Sequence, residues 1–212
     1  MFFKDTIPKA NQIKMIISFT IVAIIVTLII VYKNDLYKVK ENITDGEKIH
    51  QEYNLVPVDN VYKYVSAAEA YDILISKNAE NNVILFGFEE CKWCNKFAQI
   101  INEVAKDNNI ETVYYCNIYN DRKDNTEEYN ELLSILNKYL ALDANNNPRL
   151  YVPDVYIIKK GKIIGHNNAT SQIEGTDIDE YYKINEIKLK EELNKLFLNI
   201  KNTNCNDKDK SC

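Results

Sequence analysis

One stretch near the start of the chain shows no alternation of apolar and polar positions. From Met15 to Tyr32, MIISFTIVAIIVTLIIVY, eighteen residues pass without a charge between Lys14 and Lys33. A helix of this length covers roughly 27 Å at about 1.5 Å per residue, close to the hydrocarbon thickness of a bilayer. A cleaved leader would have a shorter apolar region ending in small residues, whereas VYKNDLYKV follows here. The pattern therefore predicts one uncleaved membrane anchor over 15–32, preceded by a short tail, 1–14. Residues 33–60 are polar, mixed in charge and without a sustained period, and read as a stalk. The final stretch, 201–212, is polar and reads as a loose tail.

Between these flanks the periods alternate. VYKYV (61–65) suits a short strand, and Ser66-Ala67-Ala68-Glu69 has the capping-box pattern that opens a helix through about Lys77. NVILFGF (82–88) is an almost continuous apolar run, as expected of a central strand covered on both faces. Phe97, Ile100, Ile101, Val104 and Ala105 then recur at helical spacing. ETVYYCNIY (111–119) is β-branched and aromatic and predicts a second central strand. A further helix is marked by Leu132, Leu133, Ile135, Leu136, Tyr139 and Leu140. DVYIIKKGKIIGH (154–166) reads as two strands joined at Lys160-Gly161, and an amphipathic helix follows from about Asp179 to Ile200. The order β-α-β-α-β-α-β-β-α predicts a layered α/β domain over 61–200, with a mixed sheet flanked by helices.

Composition narrows the function classes. Apolar residues make up 46% and charged residues 27% of the 212, the balance of a folded domain. The net charge is −5 and only two arginines occur, Arg122 and Arg149, so nothing suggests nucleic-acid binding. Lys4, Lys9 and Lys14 precede the anchor and Lys33, Lys38, Lys40 and Lys48 follow it, so lysine counts leave the orientation undecided.

The candidate chemistry lies in FGFEECKWCNKF (86–97), where two cysteines stand two residues apart at a strand-to-helix junction. Free amide groups and the positive end of the helix dipole stabilise a Cys91 thiolate, and Lys92 adds charge beside it. Cys94 lies in the first turn, close enough to form a disulfide. A zinc site needs two more ligands, and Cys116, Cys205, Cys212, His50 and His166 provide no second close pair. A purely structural staple over so short a loop would gain little chain entropy. Cys116, in an apolar strand, reads as a small buried residue, and His166 as a solvated strand edge.

CKWC between strand and helix, with Val152-Pro153 ahead of the hairpin containing KKGKIIG, resembles the thioredoxin superfamily over about residues 60–200. The resemblance implies a thioredoxin-like fold and thiol–disulfide exchange, with Cys91 as nucleophile and Cys94 as resolving thiol. It implies a cis Pro153 beside the disulfide and a Val152 backbone that pairs with extended substrate. Lys92 and Trp93 would tune the couple, with Trp93 shielding the disulfide. The buried aspartate that thioredoxins carry six residues before the first cysteine is Leu85 here, which leaves Glu89 or Glu90 as the expected proton carriers. Anchored, extracytoplasmic thioredoxin-like proteins of Gram-positive bacteria, including bacteriocin-transport accessory proteins, are similar in these departures. The expected partners are cysteine-containing exported or surface proteins and a membrane electron donor or acceptor. No metal or organic cofactor is expected, because the cysteine pair itself carries the electrons. The competing expectation is a non-catalytic module that uses the fold to hold an exported peptide or secretion partner.

Overall fold

The computed structural model describes residues 9–41, 43–77, 81–168 and 175–201, so the tail cysteines Cys205 and Cys212 lie outside the described residues. The chain divides into two compact units at Thr44/Asp45. The first is dominated by helix α1 (Lys9–Glu41). Its stretch Ile13–Lys33 is long and apolar enough to cross a membrane, and none of it is buried within the protein. Two of the few polar side chains in this stretch are satisfied inside the helix. Thr20 Oγ1 donates to Ile17 O at 2.8 Å and Thr27 Oγ1 to Ala23 O at 2.6 Å, which lets both hydroxyls face an apolar medium.

The second unit begins at Asp45, earlier than the polar pattern suggests. Helix α2 (Asp45–Glu52) is followed by strand β1 (Tyr62–Tyr64), helix α3 (Ala67–Ile75), strand β2 (Asn82–Gly87) and helix α4 (Lys92–Asp107). Strand β3 (Val113–Asn117), helices α5 (Tyr119–Asp124) and α6 (Glu127–Leu136), and the two-residue strands β4 (Ala141–Leu142) and β5 (Pro148–Arg149) come next. The hairpin β6 (Asp154–Lys159) and β7 (Lys162–Asn167) precedes the last helix, α7 (Ile178–Lys201).

Five strands form one mixed sheet in the order β1-β3-β2-β6-β7. β3 runs parallel to both β1 and β2, whereas β2–β6 and β6–β7 are antiparallel. β2 has a strand on each side, and Val83 to Phe86 are fully buried, which accounts for its unbroken apolar run. α4 packs on α7, and α3 packs on α6. The capping box forms as the sequence predicts: Glu69 N donates to Ser66 Oγ at 3.2 Å, and Ser66 N donates to Glu69 Oε2 at 2.8 Å. At the β6–β7 turn both Lys160 (φ 47°) and Gly161 (φ 69°) are left-handed, the pairing that a two-residue hairpin requires. Glycine is demanded twice over there, because a Cβ on Gly161 would meet the carbonyl oxygen of Ile75 at 2.7 Å.

Two expectations need correction. The stalk read over 33–60 is helical through Glu41, and its second half belongs to the domain. Ile49, Tyr53 and Val56 are completely buried, at the i, i+4, i+7 spacing of one helical face continuing into a turn. Side chains of α4 hold this segment: Leu55 N donates to Asn95 Oδ1 at 3.2 Å, and Lys106 Nζ lies 2.9 Å from Asp59 Oδ2. Only three apolar residues anchor it among many polar ones, so composition concealed it. His166 is also not a solvated edge. Its ring stacks on Tyr156, 5.3 Å between centroids, and Nδ1 lies 3.4 Å from the buried carboxylate of Asp154.

Candidate active site

β2 ends at Gly87, and the chain turns through Phe88, Glu89 and Glu90 into α4. Cys91 is the N-cap residue of α4, its amide donating to Phe88 O at 3.1 Å, and no side chain caps the helix there. Cys94 sits in the first turn, its amide donating to Cys91 O at 3.0 Å. The two cysteines form a disulfide, with Cα atoms 5.3 Å apart. Cys91 retains 9% of its surface and Cys94 only 1%, so an incoming reagent reaches Cys91 first. On reduction, the N-cap position turns free amide groups and the helix dipole toward the Cys91 sulfur, and no acidic residue in the first turn opposes a thiolate.

The Val152–Pro153 peptide is cis, and Val152 O lies 3.6 Å from Cys91 Sγ. The residues singled out from sequence for attack and for substrate contact thus meet at one place. Lys92 is exposed beside Cys91. Trp93 is half-buried and turns toward α7, packing edge-on against Tyr181 (5.2 Å) and tilted against Tyr182 (5.6 Å). Tyr182 Oη donates to Trp93 O at 3.0 Å, which ties the first turn of α4 to the last helix. Glu89 and Glu90 are both exposed, and neither forms a hydrogen bond to Cys94. Leu85, fully buried in β2, carries no proton.

A buried cluster of tyrosines around one carboxylate, near the cysteines, escapes the sequence reading. On the α4 side of the sheet, Tyr53 Oη and Tyr115 Oη, both fully buried, lie 2.7 Å apart. Tyr115 Oη donates to Glu52 Oε2 at 2.8 Å, Tyr64 Oη donates to Glu52 Oε1, and Asn117 Nδ2 reaches both carboxylate oxygens at 3.2–3.3 Å. Burial pushes the Tyr53, Tyr115 and Tyr64 hydroxyls well above the usual phenol range, so they remain neutral donors. The signal that would have located Glu52 and Tyr53 is the Ile49–Tyr53–Val56 spacing, which places them in the core.

Cys116 points away from this cluster. It is fully buried, and desolvation raises its thiol far above the ordinary value, which makes it inert. Asp154, directly after the cis proline, is also raised by burial, against the lowering effect of His166 and Tyr156, whose hydroxyl donates to Asp154 Oδ2 at 2.7 Å. Both arginines flank the site: the Arg122 guanidinium lies 4.5 Å from the Phe88 ring centre and that of Arg149 5.5 Å from Tyr151. Among the described residues, no three His, Cys, Asp or Glu side chains gather as metal ligands.

No family model and no curated protein matches the chain. Solved structures do. Thioredoxin O2 from Arabidopsis thaliana in its oxidized state is 18% identical, with the match covering 60% of this chain and 93% of that one at a TM-score of 0.36. Thioredoxin from Plasmodium falciparum is 17% identical over 58% of this chain and 96% of its own, with a TM-score of 0.33. Thioredoxin NaTrxh from Nicotiana alata is 14% identical over 59% and 90%, again at 0.33. With its mixed five-stranded sheet, its flanking helices and a disulfide at the junction of β2 and α4, the second unit has a thioredoxin-like fold.

Proposed function

We propose that the protein is a membrane-anchored thiol–disulfide oxidoreductase that acts on protein disulfides or dithiols outside the cytoplasm. The observation that carries this reading is the Cys91–Cys94 disulfide at the start of α4, its more accessible sulfur facing the Val152 carbonyl. In the reducing direction the Cys91 thiolate attacks a substrate sulfur and displaces the other substrate sulfur as a thiolate. Cys94 then attacks Cys91 Sγ, releases the second substrate thiol, and leaves the Cys91–Cys94 disulfide. The substrate gains two electrons and the cysteine pair loses two. Run backwards, the same steps oxidise a dithiol. The backbone at Val152–Pro153 holds an extended substrate segment, as strand addition does in other peptide grooves.

Cysteine-containing exported or surface proteins are the substrates this compartment supplies, and a membrane donor or acceptor of electrons resets the pair. An outward location suits a disulfide-permissive environment, and α1 supports the anchor through its exposed stretch 15–32, which carries no charge. This is the arrangement of the extracytoplasmic thioredoxin-like proteins that the sequence resembles. One observation favours a binding module instead: Leu85 leaves β2 without an acid beneath the cysteines. Reduction of insulin disulfides by the full chain in detergent micelles separates the two. Turnover with dithiothreitol that is lost in Cys91→Ser supports the enzyme, and a wild-type chain that never accelerates insulin precipitation rejects it.

A further inference from the structure

We propose that Glu52, acting through the hydroxyls of Tyr115 and Tyr53, is the proton acceptor for the buried thiol of Cys94. The inference rests on the exchange chemistry proposed above and assigns residues to its second half. That half poses a physical problem. Cys94 must be a thiolate to attack Cys91 Sγ, yet the residue is only 1% exposed and the neighbouring strand β2 is apolar. Some group has to remove the proton without bulk water.

The structure gathers the thiol and the first hydroxyl around one point beside Gly87, and hydrogen bonds run on from that hydroxyl to the carboxylate. The position that a Cβ on Gly87 would take lies 2.6 Å from Tyr53 Oη and 3.6 Å from Cys94 Sγ, with Tyr115 Cε2 at 3.2 Å. The missing side chain is what lets the hydroxyl and the sulfur face the same small space, and an alanine at 87 would collide with the hydroxyl. From Tyr53 Oη the line runs 2.7 Å to Tyr115 Oη and 2.8 Å to Glu52 Oε2.

The direction of the hydrogens follows from counting. A phenol has one hydrogen, and that of Tyr115 goes to the carboxylate. Tyr53 must then donate to Tyr115 Oη, which leaves the lone pairs of Tyr53 Oη open to an S–H of Cys94. The transfer is a shift of three hydrogens. Cys94 S–H gives its proton to Tyr53, Tyr53 gives its own to Tyr115, and Tyr115 gives its own to Glu52. The products are a Cys94 thiolate and a neutral Glu52 carboxylic acid, with both phenols unchanged. No tyrosinate ever forms, so the raised phenol values do not obstruct the path.

Glu52 also has an outlet. It lines a recess of about 310 Å³ with Lys48, Gln51, Tyr64 and Glu89, where the proton passes to solvent. The titratable groups facing it are Lys48 from α2, Tyr64 from β1, Tyr115 from β3 and Glu89 from the turn before α4.

The test follows the two halves of the reaction in one trace. The reduced full chain in detergent micelles, carrying Cys205→Ser and Cys212→Ser to silence the tail thiols, is mixed with 5,5′-dithiobis(2-nitrobenzoic acid). Attack by Cys91 releases one nitrothiolate, and attack by Cys94 on the resulting mixed disulfide releases the second. Tyr53→Phe removes the middle of the line. Glu52→Gln keeps an oxygen for Tyr115 to donate to but cannot take a proton. Each should slow the second phase roughly tenfold or more near neutral pH, with the first phase retained. Raising the pH should restore the second phase, because hydroxide then removes the Cys94 proton. Wild type should show a solvent deuterium effect on the second phase that both variants change. A purely packing role for these residues would not be rescued by pH. Equal second-phase rates in wild type, Tyr53→Phe and Glu52→Gln overturn the relay and leave the exchange reading standing. A wild-type chain that releases neither nitrothiolate overturns both.

Discussion

At the residue scale, the two cysteines are chemically unequal before any substrate arrives. Cys91 occupies the N-cap of α4, where unpaired amides favour the thiolate, and it keeps the larger share of accessible surface. Cys94 is almost fully buried and, in the relay proposed above, depends on a neighbour to lose its proton. Alkylation of the reduced protein with iodoacetamide near pH 6, read by peptide mass spectrometry, should label Cys91 first and Cys94 later. Cys116 should stay unlabelled until the domain unfolds, because burial raises its thiol and closes access. Labelling of Cys94 ahead of Cys91 would reverse the roles of the pair.

At the scale of elements, α2 is where sequence and structure part company. Its burial predicts that Ile49→Ala lowers stability by about 2–5 kcal/mol, the usual cost of truncating a core side chain, whereas Leu55→Ala, at a position 47% exposed, should cost little. Urea unfolding followed by tyrosine fluorescence measures both, and equal effects would return 45–60 to the status of a linker. The elements legible in the sequence were those with a strong local signature: the apolar run of β2, the Ser66–Glu69 box, the Lys160-Gly161 turn, and the cysteine pair at a strand end. Each is decided by residues close together in the chain. α2 was not legible because three apolar residues in a polar segment make a weak period. Over Tyr119 to Leu150 the pattern predicted a single helix, where the structure has α5, α6 and the short β4–β5 pair. The proton acceptor proposed for Cys94 was less legible still. Glu52 and Tyr115 are 63 positions apart, and no local pattern brings a residue of α2 against β3. Glu89 and Glu90, expected as proton carriers from their place at the strand end, are exposed.

For the whole molecule, one unit carries a helix with an exposed, charge-free stretch over 15–32 and the other a thioredoxin-like sheet with its disulfide. The proposed topology places residues 1–14 in the cytoplasm and the second unit outside. Protease added to intact cells stripped of their wall should therefore degrade epitopes in residues 61–200 while the cytoplasm stays sealed. Complete protection would reverse the orientation, and recovery of the chain in the alkaline-soluble fraction would remove the anchor altogether. The same division of the chain gives the position of a proteolytic cut an unequal meaning. Under the proposed topology, a nick at 42–44, ahead of Asp45, would release the second unit with Glu52, Tyr53 and Tyr115 together. Under the same topology and the proposed relay, a nick after Tyr53 would leave the disulfide in the C-terminal fragment and Glu52 on the N-terminal one. On this reading nine residues of backbone, Asp45 to Tyr53, separate release of an active unit from its inactivation.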